Sequence, residues 1–141
     1  RVGRRRSRDV AVDVRSAAAV DAPRSTLDRA ITNLVDNACK FDQSGGTIEV
    51  IVDGGSLTVL DSGPGIPAGE EERIFDRFHR AETARSMPGS GLGLSIVRDV
   101  VARANGTVTA STREGGGASI GFTLPVSPDW PAGHSSAMLA E

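Results

Sequence analysis

Two asparagines and the only lysine of the chain follow one another at helical spacing. Asn33, Asn37 and Lys40 are separated by steps of four and three residues, so on a helix their side chains would lie on one face. Asparagine is unfavourable inside a helix because its amide competes with the backbone for hydrogen bonds. The stripe, which Arg29 extends by one turn, is therefore either a solvated polar face or a set of ligand contacts.

A carboxylate stands just before a pair of glycines at the end of a predicted strand. Asp61 is followed by Ser62, and Gly63 and Gly65 then let a ligand approach the backbone closely, with Ile66 next in the chain. A carboxylate in this place can accept a hydrogen bond from an exocyclic amine, which would select adenine. A tight turn with a solvated aspartate fits the same residues equally well.

A second glycine-rich run opens a predicted helix. It comprises Gly89, Ser90, Gly91, Leu92, Gly93 and Leu94. Backbone amides at a glycine-rich helix N-terminus form an anion site, which the helix dipole strengthens. The run is not a P-loop, because no Gly-Lys-Ser or Gly-Lys-Thr follows it. It also lacks the spacing of a dinucleotide fold, because residue 94 is leucine.

Aromatic and basic residues are mixed in the run 74–80, which reads IFDRFHR. Phe75 and Phe78 are expected to pack in the core. Arg77 and Arg80 are either surface charges or phosphate ligands, since a guanidinium fork binds phosphate oxygens well.

Regular elements must bring these motifs together. Alternating apolar residues predict strands over 9–14, 47–53, 56–61, 107–112 and 118–124. Apolar residues at helical spacing predict helices over 27–41 and from the second glycine run to Ala104, and a short charged helix or turn is expected over 70–78. Pro23 suits the first turn of the earlier helix, with Asp21 or Ser25 as its cap, and Asn105-Gly106 closes the later one.

Hairpins connect most of the predicted strands. Gly54-Gly55 forms a two-residue loop, and residues 114–117 form another turn. Interleaved strands and helices of this kind favour an α+β two-layer sandwich, with a mixed sheet of about five strands and helices on one face.

Composition excludes several classes of protein. With 141 residues, 38% of them apolar and 24% charged, the chain is long enough for one globular core. A net charge of −2 argues against nucleic acid as a partner. No stretch is long and apolar enough to span a bilayer, and the lone Cys39 excludes an internal disulfide. Because the chain starts at Arg1 without methionine, we expect a fragment of a larger protein.

The four motifs resemble a known family when taken in order. They read Asn-x-x-x-Asn-Ala-x-Lys, Asp-x-Gly-x-Gly-Ile, Ile-Phe-x-x-Phe-x-Arg and Gly-x-Gly-Leu-Gly-Leu-x-Ile. They look like the N box, first glycine box, F box and second glycine box of sensor histidine kinases, across residues 9–124. The resemblance implies the Bergerat fold of the ATP-binding catalytic domain. The arginine- and alanine-rich, lysine-poor composition favours a high-GC source such as an actinobacterium.

The resemblance implies binding of ATP with Mg²⁺. Asn37 matches the residue that holds the metal and Asn33 supports the phosphates or the metal. Lys40 matches a phosphate contact, with Phe41 beside the nucleotide. Arg80 matches the arginine aimed at the γ-phosphate.

The adenine end is implied in the same way. Asp61 matches the acid bound to the adenine amino group, with Gly63, Gly65 and Ile66 among the nucleotide contacts. The second glycine run, from Gly89 to Leu94, matches the edge of the nucleotide lid.

The chain also departs from the family pattern. Phe41 stands where tyrosine or histidine is frequent, and His79 replaces a frequent tyrosine. His79 and His134 are the two histidines, and neither lies in the helical context of a phosphoacceptor. We therefore expect the helical dimerisation domain with its acceptor histidine to lie upstream of this chain.

The expected organisation follows. Residues 1–8 form a basic connector, 9–124 the catalytic domain and 125–141 a flexible tail. The expected partners are the missing phosphoacceptor domain and, indirectly, a response regulator. We expect the isolated domain to be a monomer, and its parent to be a homodimeric membrane sensor that holds this domain in the cytoplasm.

Two other hypotheses remain open at this point. The chain could be a nucleotide-dependent interaction module, such as an anti-sigma-type or kinase-dead regulator. It could also be a structural α+β domain with no ligand, which requires four motifs to coincide in order by chance.

Overall fold

A five-stranded mixed sheet forms one layer of the molecule. The computed structural model describes residues 9–42, 45–76 and 93–127. The strands are β1 (Val10–Ser16), β2 (Ile48–Asp53), β3 (Ser56–Leu60), β4 (Thr107–Thr112) and β5 (Ala118–Thr123), in the spatial order β1-β2-β3-β5-β4. β1 pairs with β2 in parallel and the remaining neighbours pair antiparallel.

In the described ranges, two α-helices form the second layer. They are α1 (Arg24–Phe41) and α2 (Gly93–Arg103), and a short 3₁₀ helix spans Arg73–Phe75. The two α-helices contact each other, and α1 also packs on β2, β3 and β5 while α2 packs on β4. The predicted two-layer α+β architecture is confirmed.

Apolar spacing explains which faces the core occupies. On α1, Ala30, Leu34 and Ala38 recur every four residues and are at most 2% exposed, as expected for the inner stripe of an amphipathic helix. The sheet and α2 supply the opposing side chains, which include Ile48, Val50, Val59, Val97, Val101, Ile120 and Phe122.

The beginning of α1 differs from the prediction. The helix starts at Arg24, its N-cap is Pro23, and no side chain caps it, so the expectation of an Asp21 or Ser25 cap is wrong. The Pro23 carbonyl accepts hydrogen bonds from the Thr26 and Leu27 amides at 3.0 and 3.1 Å. A residue with extended ψ of 142° thus begins the helix through its carbonyl alone.

The end of α2 agrees with the prediction. Asn105 adopts a left-handed φ of 64°. The Gly106 amide donates to the Val101 carbonyl and the Asn105 amide donates to the Ala102 carbonyl. These two bonds define a Schellman motif, which satisfies carbonyls that the helix leaves unpaired.

None of the helices in the three described ranges is long and apolar enough to cross a membrane. Residues 1–8 and 128–141 lie outside those ranges, and the domain boundaries at residues 9 and 124 remain predictions. Near the latter boundary, Val126 forms a bridge with Val20, and the Ser127 amide donates to the Ala19 carbonyl at 2.7 Å.

The β4–β5 turn allows a matched test of close packing. Gly117 has φ of 97°, and a Cβ there would lie 2.0 Å from the Asp61 carbonyl oxygen, whereas Gly115 has φ of 89° with nothing within 4 Å. Gly115→Ala should cost about 1 kcal/mol through the left-handed backbone. Gly117→Ala should cost roughly 2–4 kcal/mol, because the steric clash adds to that strain. Equal losses in urea unfolding would contradict this account.

Candidate functional site

The polar stripe of α1 lies at the boundary between core and solvent. Asn33, Asn37 and Lys40 are all half-buried. The Asn33 Nδ2 atom donates to the Arg29 carbonyl at 3.0 Å, which fixes the amide. Its Oδ1 atom lies near the start of α2, since a Cβ on Gly93 would be 3.8 Å from that oxygen. The side chains of the predicted stripe therefore lie on one surface of α1, and the Asn33 amide oxygen lies beside the beginning of α2.

The last turn of α1 presents a cation over an aromatic ring. The Lys40 Nζ atom lies 5.3 Å from the centroid of the Phe41 ring, within the range of a cation–π interaction. Phe41 is half-buried and is the last residue of α1. A positive charge at this position also interacts favourably with the negative end of the helix dipole.

Asp61 is a buried carboxylate at the end of β3. It is 4% exposed, and its Oδ1 atom accepts hydrogen bonds from the Gly63 amide at 2.8 Å and the Ala118 amide at 3.1 Å. Burial raises the pKa of the carboxyl above its ordinary value of 3.8, although these two hydrogen bonds oppose the rise. Repulsion from Asp42 raises this pKa further, and the Arg113 guanidinium lowers it.

The loop after Asp61 is attached to the end of β4. The Ile66 amide donates to the Thr112 hydroxyl at 3.0 Å, and the same hydroxyl donates to the Ile66 carbonyl at 3.1 Å. An Arg113 Nη atom donates to the Asp61 carbonyl at 2.9 Å. Gly65 has φ of 84°, and a Cβ there would lie 3.0 Å from the Thr112 methyl group. The predicted Asp-x-Gly-x-Gly-Ile motif is thus a shaped loop and not a solvated turn.

Sequence reasoning missed three residues that build this loop. Thr112 and Arg113 lie 46 and 52 positions from their partners, so no local pattern indicated them. Asp42 lies one residue beyond the helix predicted over 27–41; it is 1% exposed, and its Oδ2 atom accepts a hydrogen bond from the Ser62 amide at 2.8 Å. Through this bond the end of α1 and the loop meet.

The F-box region joins the core to α2. Phe75 is 3% exposed within the core cluster, and Ile74 packs against it, which confirms the predicted core role of this phenylalanine. Asp76 and Arg98 form a 2.9 Å ion pair between the 3₁₀ helix and α2.

Several predicted site residues lie outside the described ranges. These are Arg77, Arg80, Gly89, Ser90, Gly91 and Leu92, and Phe78, which was predicted to pack in the core, also lies there. Gly93 and Leu94 are the first two residues of α2, and Leu94 packs against the core. The described part of the site therefore comprises the α1 stripe, the Asp61 loop and the beginning of α2.

Comparison with protein families adds an independent result. Residues 22–128 match the family described as histidine kinase-, DNA gyrase B-, and HSP90-like ATPase. The signal transduction histidine-protein kinase/phosphatase MprB of Mycobacterium avium is 44% identical over 119 residues, which cover 78% of this chain and 23% of that protein. The chain thus spans about a quarter of the length of this curated relative.

Solved structures show the same architecture. A mycobacterial sensor histidine kinase MprB superposes with a TM-score of 0.75 at 40% identity, over 89% of this chain and 88% of that chain. The catalytic domain of histidine kinase ThkA superposes with a TM-score of 0.72 at 28% identity, over 88% and 82% of the two chains. The mycobacterial relatives agree with the actinobacterial expectation.

The buried charge of Asp61 makes a prediction about stability. Asn in its place keeps an acceptor for the Gly63 and Ala118 amides but removes the desolvated charge. Because the folded-state pKa is raised, the ionised carboxylate destabilises the fold at pH values above that pKa, and this penalty disappears as the pH falls below the unfolded value. Asp61→Asn should therefore have the higher melting temperature at pH 7, and the difference should shrink toward pH 3. A variant less stable than wild type at pH 7 would contradict this account.

Proposed function

The chain belongs to the histidine kinase-, DNA gyrase B- and HSP90-like ATPase family, and from this we propose that it transfers the γ-phosphoryl group of Mg·ATP to a histidine on a separate helical domain. The observation that carries the proposal is the junction between the α1 stripe and the Asp61 loop. A single ligand spanning the two would meet amide and ammonium groups at one end and a carboxylate at the other.

The adenine end of the proposed site is built around Asp61. Its Oδ1 atom is held by the Gly63 and Ala118 amides, which fixes the plane and position of the carboxylate. A fixed, buried acceptor selects a base with an exocyclic amine and rejects one that presents a carbonyl there, because the carbonyl would leave two acceptors facing each other. Gly65 and Ile66 would line the base, and Gly63 would be a further nucleotide contact.

The phosphate end is supported by the donor set of α1. Asn37 would hold Mg²⁺ through its amide oxygen, together with phosphate oxygens and water, which suits a hard cation that retains much of its hydration. Bound Mg²⁺ would neutralise charge on the phosphates. Asn33 would support the phosphates or the metal, and Lys40 would contact phosphate oxygens. Arg80, outside the described residues, would act on the γ-phosphate.

The proposed chemistry requires positioning and not a nucleophile within this chain. Phosphoryl transfer depends on alignment and on neutralisation of charge that spreads over the phosphate oxygens. The half-buried Asn33 and Lys40 side chains are held by the Arg29 carbonyl and the Phe41 ring respectively. Such preorganisation lowers the cost of reaching the reactive geometry.

The rest of the signalling reaction belongs to this proposal. A phosphoacceptor domain of the parent protein would receive the phosphoryl group, and a response regulator would take it from there. The proposal includes a monomeric isolated domain and a homodimeric parent that holds this domain at the cytoplasmic side of a membrane.

Asn37→Ala tests the metal assignment. The variant should fold normally but lose Mg²⁺-dependent ATP binding, and it should transfer phosphate roughly 100-fold or more slowly, because an oriented metal contact is removed. Thr32→Ala is a matched control, since Thr32 lies exposed on the same helix.

The assay adds the domain and labelled ATP to a separately purified acceptor domain. Transfer at the wild-type rate by Asn37→Ala would refute the metal assignment. If the wild-type domain bound ATP but left every acceptor unlabelled, the interaction-module hypothesis would replace the kinase proposal.

A further inference from the structure

We propose that Asp42 is a positioning residue for the adenine end of the site. Its carboxylate holds the Asp61–Ile66 loop on the end of α1 and so fixes where Asp61 meets the base. The inference rests on the proposed ATP-binding function, and it adds to that function a residue outside the four motifs.

Asp42 is fixed to the helix at one end and to the loop at the other. Its amide donates to the Ala38 carbonyl at 2.9 Å, which makes it the C-cap of α1. Its Oδ2 atom accepts from the Ser62 amide at 2.8 Å. Because the side chain is 1% exposed, water does not compete for this charge-assisted bond, which is about twice as strong as a neutral one. Any displacement of Asp42 would therefore move the residue that follows Asp61.

Close packing leaves the loop little room to move relative to the end of α1. A Cβ on Gly63 would lie 2.8 Å from the Phe41 carbonyl oxygen and 3.2 Å from the Asp42 Cα atom. The loop backbone therefore rests directly on the last residues of α1. Reactive and binding geometries tolerate little error, since a displacement of about 1 Å can reduce activity on the order of 100-fold.

The two attachments of the loop differ in what they connect. Thr112 and Arg113 join the loop to β4, within the sheet. Asp42 joins it to α1, the helix that carries Asn37 and Lys40. Asp42 is therefore placed to set the distance between the adenine acceptor and the phosphate contacts.

The charge of Asp42 has two unfavourable electrostatic interactions. It lies at the C-terminus of α1, where the helix dipole is negative, and it repels Asp61. At Asp61 the Arg113 guanidinium opposes this repulsion and lowers the pKa of the carboxyl, and it also pairs with Glu49 at 3.8 Å. What the Asp42 side chain supplies to the loop is an acceptor for the Ser62 amide, which an asparagine at this position would keep.

Three variants separate positioning from structural support. Asp42→Ala removes the acceptor for the Ser62 amide, and Asp42→Asn keeps an acceptor but removes the charge. Asp53→Ala is the control, because its carboxylate also accepts a hydrogen bond, from the Ser16 hydroxyl at 2.8 Å, but lies at the end of β2 that is remote from Asp61.

The measurement is calorimetric titration with non-hydrolysable analogues of ATP and GTP in the presence of Mg²⁺. Asp42→Ala should bind the ATP analogue at least tenfold more weakly and lose most of its preference over the GTP analogue. Asp42→Asn should bind within about threefold of wild type, and its loss of binding in acid should move to lower pH, because Asp61 no longer faces a negative neighbour. Asp53→Ala should match wild type.

Folded Asp42→Ala that keeps the wild-type preference for ATP would overturn the proposal. If that variant does not fold, Asp42→Asn decides the question. The proposal would be overturned if this variant lost binding in acid at the same pH as the wild type, or if its affinity for the ATP analogue fell by as much as tenfold. A folded wild-type chain that binds neither analogue would instead overturn the proposed function.

Discussion

The burial of the Asp61 carboxylate is the constraint on which the rest of the site depends. Removing a carboxylate from water is unfavourable unless hydrogen bonds replace its hydration. Two backbone amides do this, from Gly63 in the following loop and from Ala118 in β5. The second amide is accessible because Gly117 brings its backbone against Asp61 without a side chain. The β4–β5 turn and the loop after Asp61 are thus both tied to the same buried carboxylate.

The two layers of the fold contribute different parts of the candidate site. Under the proposed function, the sheet would supply the acceptor for the base and the residues that shape its loop, and α1 would supply the amide and ammonium groups for the phosphates. Asp42 lies where these layers meet, with its backbone on α1 and its carboxylate on the Ser62 amide. Since the proposed phosphoryl transfer depends on alignment, the relative placement of the layers would be as important for it as the residues proposed to contact the nucleotide.

Features that depend on nearby residues were predictable from the sequence, and features that depend on distant contacts were not. The helical spacing of α1 and the Gly54-Gly55 hairpin were correctly predicted, because periodicity and turn chemistry are local. The roles of Thr112 and Arg113 were missed, because alternation along a strand indicates which face is buried and not which loop a polar side chain reaches. The predicted side-chain cap of α1 was wrong, because Pro23 begins the helix through its backbone carbonyl. Every residue has this group, so the side-chain types did not indicate which residue would begin the helix.

The most direct test of the central claim is residue-resolved NMR titration of the ¹⁵N-labelled chain with a non-hydrolysable ATP analogue and Mg²⁺. The side-chain amides of Asn33 and Asn37 and the backbone amides of Gly63 and Gly65 should shift together, with one common affinity. Thr109, in β4 away from the loop, should remain unchanged. Shifts confined to one of the two groups, or separate affinities for them, would contradict a single nucleotide site that joins α1 to the Asp61 loop.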